Sequence, residues 1–512
     1  MSSFWQSTID STQIISGQLS LTQLTLTPDQ HPSLAEYVKG EKGVLLTEWV
    51  APTQTAHRHA MTWSVLYWLP QQGLWCASAL LNHRIPRLRD LSHYFPVASR
   101  LQRAIYELTR IPTQHAPDRR YWLNHGHFPL GILTKKKPPR LPSHSYTFQK
   151  ISGEGVHEIP VGPVHAGVIE PGHFRFSVVG ERILKLEERL GYTHKGIHQL
   201  LKDKPLTDAA KLIARVSGDS TIGYSYAFAM ACEHALHHQV NLATQYYRAI
   251  LLERERLANH IGDIGAIVND TSLPSLQSSF QLLKETLLRY NVTYSGHRYG
   301  MDAITPLASI TRDVRVLIEP MHAELNTLIA QWHELKAICD QHYGFQDRII
   351  KTGILETDTA KQWGIVGMAA RASGIAMDLR CDHPYAPYDQ LSATLITDLQ
   401  GDVAARVSVR FSEWMESLSL IKQCLEKCPS ASESTTRTPS LDTGLGVGCV
   451  EGWRGPIVVV VSIKNKRVEW CHFHDPSWQN WLALEVAVLG NIVADFPLIN
   501  QSFNLSYSGH DS

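Results

Sequence analysis

Tyr247-Arg248-Ala249-Ile250-Leu251-Leu252-Glu253-Arg254-Glu255-Arg256-Leu257-Ala258-Asn259-His260-Ile261 is the stretch on which the fold reading turns. Tyr247, Ile250, Leu251, Arg254, Leu257, Ala258 and Ile261 recur at helical spacing, so the segment predicts a helix with one buried face. Glu253 and Arg256, one turn apart, are expected to pair on its outer side. The helical pattern extends outward from Glu181 to Met377 and returns over Val403 to Leu425. Strand signals border it. Tyr146 to Val179 alternates apolar and polar residues between glycines and prolines, which reads as hairpins. Ile457 to Val461 and Arg467 to Cys471 read as a β-pair, followed by a last helix over Trp478 to Leu489. Pro429 to Thr443, rich in Ser, Thr and Pro, reads as a loop.

Ahead of this region, Gly43 to Leu46 and Met61 to Tyr67 have strand character and Ala98 to Leu108 has helical character. Lys135-Lys136-Lys137-Pro138-Pro139-Arg140-Leu141-Pro142 follows. Its prolines remove backbone donors and its like charges repel, which marks a linker. The domain reading is therefore residues 1–134, a linker over 135–150, and a larger domain over 151–512. The fold class is α+β: a small N-terminal α/β docking domain, then a mainly helical domain with peripheral β elements.

With 48 basic and 48 acidic residues the formal net charge is zero, so no bulk attraction to nucleic acid or anionic lipid is expected. Pro456 to Ile463, the longest strongly apolar run, is strand-sized and far short of the ~20 residues of a membrane span. Met1-Ser2-Ser3-Phe4-Trp5 lacks the basic start and apolar run of a signal peptide. The expectation is a reduced, cytoplasmic protein. Eight irregularly spaced cysteines suggest no disulfide framework; Cys424 and Cys428 read as packing thiols, and Cys449 and Cys471 flank the expected β-pair.

Gly162-Pro163-Val164-His165-Ala166-Gly167-Val168-Ile169-Glu170-Pro171-Gly172-His173-Phe174-Arg175-Phe176 reads as a hairpin tip offering His165, Glu170 and His173 for proton chemistry. By composition alone it is a surface hairpin with incidental histidines. Together with Glu187 to Gly196 it resembles the large subunit of membrane-bound, energy-converting nickel–iron hydrogenases of the formate hydrogenlyase and hydrogenase-4 type. It is also similar to the D subunit of complex I, NADH:quinone oxidoreductase. Tyr247 to Ile261 looks like that family's long core helix. Gly367 to Gly374 with Asp378, Arg380 and Asp382-His383-Pro384-Tyr385 resembles its arginine-bearing block. Val450 to Gly455 and Asp495 to Gly509 complete the match from Ser152 to Ser512. The N-terminal part, through Arg103 to Leu108, His115 to Arg120 and Phe128 to Gly131, is similar to the complex I C subunit (30-kDa type), a docking and scaffolding domain.

The resemblance breaks at one place. The family's nickel–iron members hold their metals on two CxxC pairs, because soft thiolates suit nickel. Here the aligned positions are Ser217, Ser220, Ser477 and Asn480. No metal site, no cofactor held by this chain itself and no hydrogen activation at nickel are expected. His165 matches the family's first quinone-loop histidine, but Ile169 stands where its second falls, and no tyrosine occurs from Thr193 to Gly223. Tyr192, Tyr224 and Tyr226 are the nearby substitutes, so quinone stays open as an acceptor. Arg371 and Asp378 lie where the family faces its active cavity. His165, Glu170, Arg371 and Asp378 are therefore the candidate residues for cavity or proton-transfer work; for the charged ones the alternative is a structural ion network.

The resemblance implies an oxidoreductase subunit without a nickel–iron centre. Such a subunit couples electron transfer in a neighbouring iron–sulfur subunit to ion translocation. A catalytically silent scaffold is the competing reading. Its implied partners are a small subunit carrying a 4Fe–4S cluster, a ferredoxin-like subunit and antiporter-like membrane subunits, with no nucleic acid. Its implied place is peripheral, on the cytoplasmic face of the inner membrane.

Overall fold

The computed structural model describes residue 5 and residues 7–53, 60–133, 146–165, 169–310, 313–429 and 440–511. Most of the expected linker and residues 430–439 of the expected loop therefore lie outside the described residues.

The N-terminal part is a five-stranded sheet in the order Ile9–Ser16, Leu19–Leu26, Gly73–Leu80, Met61–Leu69, Val44–Pro52. All neighbours are antiparallel except Leu19–Leu26 with Gly73–Leu80. Val44–Pro52, at one edge, is buried along nearly its whole length. The helix Val97–Thr109 packs against it. Gln479 Nε2 donates to the Leu45 and Leu46 carbonyls at 3.1 and 2.7 Å, which satisfies groups that an edge strand otherwise leaves open. Thr47 Oγ1 meets His472 Nε2 at 2.8 Å. One apolar core runs without a break from Leu19 to Tyr507.

At the centre of the larger part stands the helix Leu242–Asp270. Asn241 starts it, accepting the Thr244 N–H at 2.9 Å and so meeting one orphan donor of the first turn. The sequence assigns it one buried face; almost every residue from Ala243 to Val268 is buried. The helices Pro274–Ser295, Val403–Lys427 and Phe496–Phe503 surround it. The expected outer-side pair of Glu253 and Arg256 is thereby corrected: both side chains are wholly buried, 3.2 Å apart. Three flanking helices leave this helix no solvent face, so its charges had to be paired inside.

A three-stranded antiparallel sheet, Gly444–Glu451, Pro456–Lys464 and Arg467–His474, replaces the expected β-pair. Its first strand escapes sequence reading because Gly444, Gly446 and Gly448 look like loop residues. They face the helix Thr221–Ala235, and a Cβ at each would collide with the carbonyl oxygens of Ala235, Ala231 and Ala227 respectively. Glycine at every second strand position meets alanine at every fourth helix position, bringing two backbones together. Gly446→Val is expected to destabilise the protein by about 3 kcal/mol or more, the upper end for overpacking, read as a fall in the urea midpoint. A midpoint within error of the parent would contradict this packing.

A second three-stranded sheet, Arg182–Arg189, His173–Val179 and Val156–Val161, carries the hairpin of the His165 region. The helix expected last in the chain spans Ser477–Ala487, and two further short helices, Phe496–Phe503 and Tyr507–Asp511, follow it. Each is too short to show a helical period.

Candidate functional site

Two buried polar clusters meet at the turn 451–454. The first is a seam of hydroxyls at the four positions that the family resemblance aligns with metal-ligand cysteines. Ser217 Oγ lies 2.7 Å from Asp219 Oδ1 and 2.8 Å from Ser506 Oγ. Ser477 Oγ accepts the Ser506 N–H at 3.0 Å, so Ser506 bridges the two segments. Ser220 Oγ donates to Asp219 and accepts from Trp453 Nε1, both at 3.1 Å. Asn480 pairs with the N–H and the carbonyl of Val366. All four side chains are buried. Neutral hydroxyls and an amide, each engaged by protein groups, do not fit a soft nickel–iron centre. Among the described residues no group of three or more His, Cys, Asp or Glu is placed to hold a metal ion.

Asp219 anchors the seam through a two-pronged pair with Arg454, at 2.9 and 2.5 Å. Packing raises its carboxyl, but Arg454, Ser217 and Ser220 outweigh that and hold it below the usual range. Its side chain is 37% exposed and borders a cleft of about 420 Å³, giving the seam a route to water. On the far side Asp475 accepts the Tyr224 hydroxyl and the Ser477 N–H, both at 2.8 Å. Burial and the Asp475 charge push Tyr224 well above its ordinary value. Tyr226 donates instead to the Ala386 carbonyl, and Tyr192 lies 4.2 Å from the His125 ring, outside the seam.

The chain segment after Ser506 ties the seam to the rest. Ser508 N–H donates to Glu170 at 3.0 Å. Asp511 accepts from Gly191 N, Thr193 N and Thr193 Oγ1 at 2.8, 3.0 and 2.7 Å. His510 accepts from Trp122 Nε1 at 3.1 Å and stacks on Trp478. His165 is half-buried on the hairpin, and its Nε2–H donates to the Gly172 carbonyl at 2.8 Å, which fixes the tautomer.

The second cluster is ionic and wholly enclosed. Arg371 binds Glu413 at 2.7 Å and Glu451 at 2.8 Å, with Asp378 at 3.5 Å. Asp378 holds Arg380 at 2.7 Å, and Arg380 reaches Glu253 at 3.1 Å. Glu253 also accepts from Ser417 and Tyr388, both at 2.6 Å. His260 Nε2 meets Glu413 at 2.9 Å. Four carboxylates (Glu253, Asp378, Glu413, Glu451) thus face three guanidiniums (Arg256, Arg371, Arg380), so one added proton balances the cluster. Burial and the neighbouring Asp378 charge raise Glu451 to about 7, against the pull of Arg371. Burial also lowers His260, despite its bond to Glu413. Of the four carboxyls, Glu451 is the one whose burial raises it toward neutrality, although both of its oxygens accept N–H bonds, from Arg371 and Leu379.

The structure places Arg371 and Asp378 in this ionic cluster and His165 and Glu170 on the hairpin. Among the described residues no hydrogen bond or ion pair joins the two sets. Sequence reasoning passed over Glu413, Glu451, His260, Ser506 and Asp475. A usable signal existed for Glu413: it lies at helical spacing from Arg410 and Ser417, on the same buried face as Trp414.

Residues 280–443 match the family described as respiratory-chain NADH dehydrogenase, 49 Kd subunit. Formate hydrogenlyase subunit 5 of Escherichia coli (strain K12) is 29% identical over 391 residues, covering 74% of this chain and 67% of that one. The NADH-quinone oxidoreductase D subunit of Rickettsia rickettsii (strain Iowa) is 26% identical, covering 54% and 70%. Over most of its length the chain is thus similar to complex I 49 kDa and hydrogenase large subunits. A solved chain from the membrane-bound sulfane sulfur reductase, an archaeal respiratory membrane complex, shares the α+β fold of this chain. Its TM-score is 0.64 at 21% identity, covering 70% of this chain and 99% of that one. No helix among the described residues is long and apolar enough to cross a membrane.

Proposed function

We propose that this chain is the large subunit of a membrane-associated oxidoreductase complex that works without a nickel–iron centre. It couples electron transfer in a neighbouring iron–sulfur subunit to ion translocation. The partners are a small subunit with a 4Fe–4S cluster, a ferredoxin-like subunit and antiporter-like membrane subunits, and the complex sits on the cytoplasmic face of the inner membrane. The observation that carries the reading is the pairing of the two clusters. The positions for metal ligands are hydroxyls and an amide, while the adjoining ionic cluster has four carboxylates for three guanidiniums, with burial raising Glu451 to about 7. A cluster that releases a proton near neutral pH is suited to respond to charge arriving in an adjacent subunit. Quinone is the acceptor that fits best, since its reduction consumes protons as well as electrons.

The purified complex is expected to contain iron but no stoichiometric nickel, and to turn over with ferredoxin or NADH as donor and a quinone as acceptor. Glu451→Gln, close in shape to the protonated carboxyl, is expected to lower that turnover by about tenfold, ~1.4 kcal/mol in the barrier, with little change in melting temperature. Nickel at one per chain would overturn the reading. The second reading is a silent scaffold, favoured by the complete enclosure of Arg371 and Asp378. It requires Glu451→Gln to leave turnover unchanged.

A further inference from the structure

A cavity of about 790 Å³ lies between the N-terminal part and the strand Arg182–Arg189, apart from the hydroxyl seam and the ionic cluster. Five arginines line it, Arg87, Arg103, Arg119, Arg120 and Arg189, against two aspartates, Asp90 and Asp118. Asp118 is already bound, to Arg103 at 3.1 Å and Arg120 at 2.6 Å. Arg87 and Arg119 are exposed, and neither forms an ion pair among the described residues. Arg120 also binds Glu187 at 2.5 Å, so the exposed cationic charge left unpaired on this wall among the described residues is that of Arg87 and Arg119.

The remaining wall is aromatic and polar. Tyr106 and Tyr121 present rings parallel to within 10° at a centroid separation of 6.5 Å. Tyr146 lies under the guanidiniums of Arg120 and Arg189, at 4.8 and 4.5 Å. Two side chains on the wall are almost fully buried and carry atoms with no protein partner: Gln102 Oε1 and Arg189 Nε. The Gln102 amide is oriented by its NH₂, which donates to the Arg89 carbonyl at 3.0 Å and to Glu48 Oε2 at 3.2 Å, so that Oε1 is an acceptor closed off beneath the wall. Thr113 Oγ1 is unpartnered as well.

We infer that this cavity binds a nucleotide. Phosphate oxygens answer the unneutralised guanidiniums of Arg87 and Arg119, and a planar base answers the tyrosine faces. The volume lies within the range of small-molecule sites and is larger than an inorganic anion needs.

Titration calorimetry on the full chain with AMP, ATP, adenosine, inorganic phosphate and an oligo-glutamate peptide tests this. AMP or ATP is expected to bind about tenfold or more tighter than adenosine or phosphate, and to weaken as salt rises. Arg87→Ala and Arg119→Ala, both at exposed positions, are expected to keep the parent melting temperature and each to cost about fivefold in nucleotide affinity. Tyr106→Ala is expected to remove the preference for AMP over phosphate. No nucleotide saturation by about 1 mM would overturn the inference. So would phosphate or the acidic peptide binding as tightly as AMP, which would make this an anion or protein-docking site instead.

Discussion

An Arg371→Ala variant is expected to lose about 3–5 kcal/mol of stability, the range for removing one partner of a buried ion pair. Arg371 pairs with the carboxylates of both Glu413 and Glu451, with Asp378 close by, and none of these groups reaches water. Without it the cluster keeps four carboxylates around two guanidiniums, and burial forbids them to stay charged. The variant's urea midpoint should fall at an unchanged slope. Adding Glu451→Gln to Arg371→Ala should restore part of the loss, because it deletes the carboxylate left most exposed to repulsion. Lysine at position 371 should be intermediate: it restores the charge but not the planar fork that binds Glu413 and Glu451 together. A loss below about 1 kcal/mol for Arg371→Ala would show that the cluster rearranges around the gap, and would contradict its rigidity.

The second large effect is on pH dependence. Burial holds His31, His198 and His474 at about 3 in the folded chain, against 6.5 when unfolded. As pH falls below 6.5 the unfolded chain takes up protons that the folded chain refuses, so stability present above 6.5 is lost toward pH 3. Burial raises Glu48 and Glu255 to about 8 and Glu107 to about 7, against 4.5 unfolded. Their contribution is complete below 4.5 and is lost as pH rises through 7 to 8. Between 4.5 and 6.5 the two sets oppose each other. Below 4.5 the histidines act alone, joined by carboxylates that folding holds low, such as Asp378 at about 2. The urea midpoint is therefore expected to be nearly flat from pH 4.5 to 6.5 and to fall on both flanks, more steeply on the acid side. His198→Phe should soften the acid flank. A midpoint that keeps rising from pH 6.5 to 8 would contradict the assignment of the buried glutamates.

Much of the fold was legible because it rests on local pattern. The helical spacing of Tyr247 to Ile261 and of Val403 to Leu425 survives in the helices Leu242–Asp270 and Val403–Lys427. The glycine-bearing strand Gly444–Glu451 was illegible, because glycine in a strand is explained only by what lies against it, here the Thr221–Ala235 backbone. The charged residues divide in the same way. Arg371 and Asp378 are visible as candidates, but which carboxylates complete their cluster depends on contacts with Glu413 and Glu451, 42 and 80 residues from Arg371 along the chain.

The sequence by itself determined which chemistry the four key positions can support. Ser217, Ser220, Ser477 and Asn480 carry no thiolate whatever surrounds them, since ligand softness belongs to the side chain. Only the tertiary structure decided what those positions do instead. Ser506 closes the seam between Ser217 and Ser477, reaching across 289 residues of chain to the first. The same packing turns the Glu253–Arg256 pair from a surface expectation into part of an enclosed ionic cluster. The physical reason is common to both: residue type fixes what a group can bind, whereas burial and partner, which fix its charge and its role, come from segments far apart in sequence.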